Sequence, residues 1–263
     1  MPNRRGNNVS KQLRRAGSRL HLELARRIGE GILNGTYAPG TLLPNEAEWG
    51  VMFGASRTAV REAIKTLNGK GLLLSRPKIG SRVEPRERWN FLDRDVLAWH
   101  CAALDKRSLL ASVQEVRRIL EPGAAALAAA KRSEAQLQRL QVALTAMREA
   151  RSAEDMVAAD VEFHLALIAA ANNELLIPLG IVIEQALHQM FDYTSRHNPD
   201  PLNVIPLHKA VVEAVRGGDP AAAAAAVATL LRDTDEVIAT APAVLAGSQA
   251  RAAAARKPAR QAS

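Results

Sequence analysis

The stretch "GASRTAVREAIKTL", residues 54–67, decides how this chain is read. Gly54 ends whatever helix precedes it, and Ser56 is suited to cap a new one, its hydroxyl accepting a backbone N–H of the first turn. Beyond the cap, Val60, Ala63, Ile64 and Leu67 recur at the spacing of one buried helical stripe, while Arg57, Thr58, Arg61 and Lys65 share a different face. A helix that enters the major groove uses its N-terminal residues on base edges, and arginine forms the bidentate contact that guanine O6 and N7 accept. Arg57 and Arg61 stand one turn apart, so both reach one groove. The free backbone N–H groups at the same end add a positive dipole for phosphates.

Upstream, residues 19–34 place Leu20, Leu24, Ile28 and Ile32 at successive i, i+4 positions, predicting a first helix that Gly35 stops. Pro39, Gly40 and Pro44 mark a turn, after which Asn45 caps a short helix reaching Phe53. Downstream, "GLLLSRPKIGSRVEP" (71–85) reads as two short strands around a turn containing Pro77 and Gly80, with Arg76, Lys78 and Arg82 near its tip. Three helices followed by a basic hairpin predict a winged helix-turn-helix over residues 19–88.

The charge supports that division. Residues 1–90 hold 17 Lys and Arg against 7 Asp and Glu, whereas residues 91–246 hold 14 against 20. A basic N-terminal module on an acidic body points to polyanion binding confined to the module. The 263 residues suffice for two domains with separate cores. Residues 1–18 are expected to be a basic disordered arm and 241–263 an alanine-rich disordered tail. The arm lacks the apolar segment of an export signal, and no hydrophobic run reaches the roughly 18 residues of a membrane span, which predicts a cytoplasmic protein without a membrane partner. The single cysteine, Cys101, excludes a disulfide framework and a thiolate zinc cluster and is read as a small buried apolar residue.

The segment "RERWNFLDRDVLAWHCA" (86–102) carries Trp89, Phe91, Leu92 and Trp99, too apolar for a flexible linker. Residues 89–106 are therefore read as an interdomain linker and helix, capped by Asp93, that docks the winged helix onto the body. Residues 107–240 are helical throughout, with Gly217, Gly218 and Pro220 separating the last two helices. The expected fold class is mainly α: the winged helix, then an antiparallel all-α bundle of six or seven helices. Within it, Asp160 and His164 stand at i, i+4 spacing on one helix face.

The run "LLPNEAEWGVMFGASRTAVREAIKTLNGKGLLLSRPKIGSRV" (42–83) resembles the winged helix of GntR-type transcription regulators. The resemblance implies that Arg57, Thr58 and Arg61 contact an operator and that Gly80 lets the wing approach the minor groove. Ser56 and Lys65 belong to the same DNA-binding surface, and Lys78 is expected on the phosphates. Two positions depart from the pattern. Ala47 stands where fatty-acid-responsive members carry an Arg, which removes that contact, and Trp49 replaces the usual core Leu.

In the second domain, "EVRRILEP" (115–122), "DVEFH" (160–164) and "LHKAVVEAVRGGD" (207–219) resemble the ligand-sensing FCD domain of the same family's FadR branch. Many members hold a divalent metal, zinc or similar, with an Asp, a His one turn later and a His from each of two later helices. Asp160, His164 and His208 match three of these positions, and the fourth falls at Leu230. Either three ligands hold a metal with waters or an anionic effector completing the sphere, or the histidines are polar pocket residues without one. Arg117 matches the position that points into this pocket, which implies a bidentate clamp on an effector carboxylate. "WNFLDRDVLAW" (89–99) resembles the branch that senses sugar acids such as galactonate. The implied function is a homodimeric, ligand-responsive repressor, released from a palindromic double-stranded DNA operator by a small organic acid, a sugar acid. The alternative, a metal-dependent hydrolase on a DNA-binding arm, lacks H-E-x-x-H, a Gly-rich phosphate loop and G-x-S-x-G, so no enzyme is expected.

Overall fold

The computed structural model describes residues 20–76, 79–194 and 203–240. The expected arm over 1–18, Lys78 and the expected tail over 241–263 lie outside the described residues. The chain divides into two compact units, 1–104 and 105–263.

In the first unit, helix α1 covers residues 20–33 and Gly35 follows it at φ +84°. Helix α2 (Glu46–Phe53) starts with a reciprocal cap: the Asn45 side chain accepts the N–H groups of Ala47 and Glu48, and the Glu48 carboxylate accepts the N–H of Asn45. Gly54 closes it in the left-handed conformation. Helix α3 (Arg57–Gly69) begins where the Ser56 hydroxyl accepts the Ala59 N–H at 3.2 Å. Strands β1 (Leu73–Arg76) and β2 (Gly80–Val83) pair antiparallel with Leu73 opposite Val83 and Arg76 opposite Gly80. Leu24, Ile28 and Ile32 pack with Trp49, Val60, Ile64 and Leu67 into one core. Leu20 stays 39% exposed, so the stripe of α1 starts at Leu24.

Helix α4 (Arg94–Ala103), capped by Asp93, belongs to this unit. Trp99 lies on Gly29 of α1, where a Cβ would sit 2.4 Å from the indole. Lys70, at the end of α3, ion-pairs with Asp93 at 2.7 Å and Asp95 at 2.8 Å. Burial alone would lower its ammonium, but the two carboxylates hold it above the ordinary lysine value. The Asn90 N–H also bonds the Lys70 carbonyl, at 3.1 Å. The segment read in sequence as joining the domains is thus fastened to the end of α3.

The second unit holds six helices among its described residues: α5 (Lys106–Lys131), α6 (Glu134–Glu149), α7 (Ala153–Ala170), α8 (Gly180–Thr194), α9 (Ile205–Gly217) and α10 (Pro220–Thr240). Asp105, Ser133 and Ser152 cap α5, α6 and α7 through their side chains. Gly218 ends α9 at φ +69°. The helices enclose a core that includes Leu140, Met147, Phe163, Leu167, Val211 and Val227. Cys101, in the first unit, is buried and free of any disulfide.

Gly71 combines φ +73° with a position where a Cβ would lie 2.3 Å from the Arg88 carbonyl oxygen. Backbone cannot yield there as a flexible side chain does. Gly71→Ala should destabilise the winged helix by about 1–3 kcal/mol or more, measured as a lower midpoint in urea denaturation of the full chain.

Candidate functional sites

The polar side of α3 is open to solvent. Arg57, Thr58, Arg61 and Lys65 are all exposed there, as are Ser56 before them and Gly80 on the wing. A groove of about 680 Å³ runs between α2, α3 and the wing, lined among others by Glu46, Arg61, Lys65, Arg76 and Ile79. Gly80 adopts φ +99°, which favours glycine, and a Cβ there would come to 3.3 Å from Leu42. Ser56 is occupied as a helix cap. Arg61 is not free either: its guanidinium donates to both carboxylate oxygens of Glu46, at 3.1 and 3.0 Å. The Arg61 hydrogen bonds hold the Glu46 carboxyl below its ordinary value. Arg82, expected near the tip of the wing, donates to the Gly40 carbonyl instead. Sequence reasoning missed Glu46, because its partner lies 15 residues away on another helix.

In the second unit, five side chains from three helices meet. Arg117 and Glu121 come from α5, Asp160 and His164 from α7, and His208 from α9; Arg117, Glu121, His164 and His208 are all no more than 2% exposed. Arg117 Nε donates to Glu121 Oε1 at 2.7 Å, and its Nη2 lies 3.0 Å from His164 Nε2. A guanidinium only donates, so that imidazole nitrogen accepts. The other one, Nδ1, lies 2.9 Å from Glu121 Oε2. His208 directs Nδ1 at the Val204 carbonyl at 2.9 Å, and this leaves Nε2 buried, 3.1 Å from Asp160 Oδ1 and without a hydrogen bond. Phe163 stands edge-on to His208, with ring centroids 4.8 Å apart, and walls the cluster on the core side.

The electrostatics follow from this packing. Burial would raise the Glu121 carboxyl, but Arg117 and then His164 hold it at about 2. Asp160 is likewise pulled below its ordinary value, burial being outweighed by His164, His208 and Arg117. One guanidinium, Arg117, thus stands against two carboxylates, Glu121 and Asp160. Glu121 is the member that sequence reasoning missed. Its i, i+4 spacing from Arg117 was visible, but that spacing is shared by many surface pairs. Arg117 therefore does not offer an empty fork to a ligand, because Glu121 already occupies one edge of it. Asp160, His164 and His208 bring one donor atom each to within 4.8 Å of one another. Leu230, at the position expected of a fourth ligand, is 2% exposed within the apolar core.

The buried pair generates a stability prediction. Removing one partner strands a charge, so Glu121→Ala should cost about 3–5 kcal/mol. Because the folded Glu121 titrates below its unfolded value, its contribution is present above about pH 4.5 and is lost as pH falls towards 2. Urea midpoints between pH 6 and pH 3 should fall more steeply for the wild type than for Glu121→Gln.

The comparisons with known proteins match this anatomy. Residues 20–83 match the family model of bacterial regulatory proteins, gntR family, and residues 112–233 match the FCD domain. An uncharacterized HTH-type transcriptional regulator of Escherichia coli, YieP, is 36% identical over 231 residues, which covers 87% of this chain and 99% of the relative. The galactonate operon transcriptional repressor of the same organism is 32% identical over 209 residues, 78% of this chain and 90% of the relative. The Bacillus subtilis regulator LutR is 32% identical over 213 residues, 79% and 95%. Among solved structures, that of the Listeria monocytogenes regulator Lar shares the fold with a TM-score of 0.54 at 20% identity, over 84% of this chain and 97% of that one. These matches are to regulators and none is to an enzyme. The chain belongs to the GntR family, as a ligand-responsive, DNA-binding transcription regulator that joins a winged helix to an FCD domain.

Proposed function

We propose that the protein is a cytoplasmic repressor that binds a palindromic operator as a homodimer and leaves it when a small hydroxylated carboxylate, a sugar acid, occupies the FCD cluster. The observation that carries this reading is the buried group of Arg117, Glu121, His164 and His208 with the part-buried Asp160 beside them. Five polar side chains inside an apolar bundle are costly unless they serve recognition. Similarity to the galactonate operon repressor supports the sugar-acid class. Arg117 is the natural carboxylate partner, its outer Nη2 turning from His164 to the ligand while Glu121 keeps Nε in place. A fatty acyl chain would have no use for so many polar groups.

The same residues fit a divalent ion. The orphaned Nε2 of His208 faces Asp160, and His164 Nε2 stands 3.7 Å from the same carboxylate oxygen. These three would hold the ion, which when bound would offset the negative excess and draw an effector carboxylate. Arg117 would then give up His164 Nε2, since both cations need its lone pair. Leu230 withholds a fourth ligand. We expect zinc, measured by mass spectrometry on the purified protein, to be substoichiometric in the wild type and to rise in Leu230→His.

On the DNA side, Arg57, Thr58 and Arg61 read base edges, Ser56 and Lys65 support them near the phosphates, Lys78 adds phosphate contact, and Gly80 lets the wing settle in the minor groove. Alanine at Arg57 or Arg61 should cost about 1–3 kcal/mol on a duplex selected from a random library and relax preference at one base pair. Equal losses on selected and random duplexes would reduce both arginines to phosphate contacts. Galactonate should lower affinity for the selected duplex in fluorescence anisotropy. Arg117→Ala should lose that response and keep DNA binding. A wild type indifferent to every sugar acid yet released by acyl thioesters would overturn the effector class.

A further inference from the structure

Leu230 deprives the cluster of a polar group from α10, yet the same helix carries a carboxylate one turn further on. Residues three apart share a helix face, so Asp233 follows Leu230 on the side turned to the bundle. Its Oδ2 is shut off from solvent and has no hydrogen-bond partner. The neighbouring acid behaves differently: Asp235 takes the Gln114 amide at 2.9 Å and the Arg118 guanidinium at 2.8 Å. An unanswered carboxylate oxygen shut off from solvent is destabilising and calls for a group that answers it, an ion, a water or a ligand. His208 lies close enough to act on Asp233 electrostatically, against the larger upward push of burial and of Glu236. Asp233 Oδ2 and His208 Nε2 are both buried without a hydrogen bond.

We propose that Asp233 is the α10 arm of the effector site, accepting a hydrogen bond from a ligand hydroxyl in place of the contact that Leu230 cannot make. This rests on the carboxylate-effector reading and narrows it. With Asp233 added to Glu121 and Asp160, three carboxylates would stand against Arg117, the one guanidinium of the cluster, and a second ligand carboxylate would meet repulsion. The ligand class is a monocarboxylate whose carboxyl end meets Arg117 and whose hydroxyls meet Asp233. A dicarboxylate of the same skeleton is disfavoured by charge, and a chain without hydroxyls leaves Asp233 unanswered.

Isothermal titration of the full chain with galactonate, galactarate and hexanoate tests this, alongside thermal melts without ligand. The wild type should prefer galactonate to both others. Asp233→Asn should weaken galactonate by about ten- to hundredfold, leave hexanoate unchanged, and melt at the same or a higher temperature without ligand, since a buried unpartnered carboxylate has gone. Undiminished galactonate binding by Asp233→Asn, or galactarate binding as tightly as galactonate to the wild type, overturns the assignment of Asp233. A ligand-free melt lowered by several degrees in both Asp233→Asn and Asp233→Leu overturns it too, by making the residue structural. Silence of the wild type towards all three acids is a different failure: it sinks the acid-effector reading itself, and this assignment with it.

Discussion

A guanidinium sealed inside a helical bundle has to be answered by anions, and the second unit is arranged around that requirement. Arg117 is 2% exposed, and its desolvation is offset by the Glu121 carboxylate on the same helix and the His164 lone pair on another. Those two partners fix where α5 and α7 meet. His208, tied by its Nδ1 to the first turn of α9, then brings that helix to Asp160. The arrangement pairs Arg117 Nε and Nη2 and leaves His164 Nδ1 and His208 Nε2 without a hydrogen bond. A buried cluster with orphaned imidazole nitrogens beside two carboxylates is chemically selective before any ligand arrives.

What was legible in the sequence was local. Asn45, Ser56 and Asp93 cap helices with their own side chains, so a reader needs only three or four residues to foresee each start. The stripe of Val60, Ala63, Ile64 and Leu67 is equally short-range, and all four are buried. Leu20 shows the limit, since a periodic pattern does not say where the core stops. Charged partners were harder still. Lys70 and Asp93 are 23 residues apart, Arg61 and Glu46 15, and nothing in the spacing marks either pair. Asp160, His164 and His208 were legible through family likeness and are brought together, whereas Glu121 was passed over because spacing cannot distinguish a buried ion pair from a solvated one.

The Glu46 carboxylate has a double effect on the open face of α3. An exposed arginine samples many rotamers, and the ion pair with Glu46 restricts Arg61, which on the proposed reading would lower the entropy lost when it is fixed on a base. It also places a negative charge among Arg57, Lys65 and Arg76, so phosphate attraction alone is weakened. Both effects favour contacts that depend on base identity over those that do not.

The fastening of α4 to α3 has a consequence for how such a regulator can be recombined. A DNA-reading module cut after the wing, at Val83 or Arg88, would lose Asp93, Asp95 and Trp99 and bare the Gly29 face and the Lys70 ammonium. The seam at which this chain divides lies between Leu104 and Asp105, where the Asp105 side chain opens α5. Chimaeras that exchange sensor domains while keeping operator specificity should be joined at that seam, with α4 travelling alongside the winged helix.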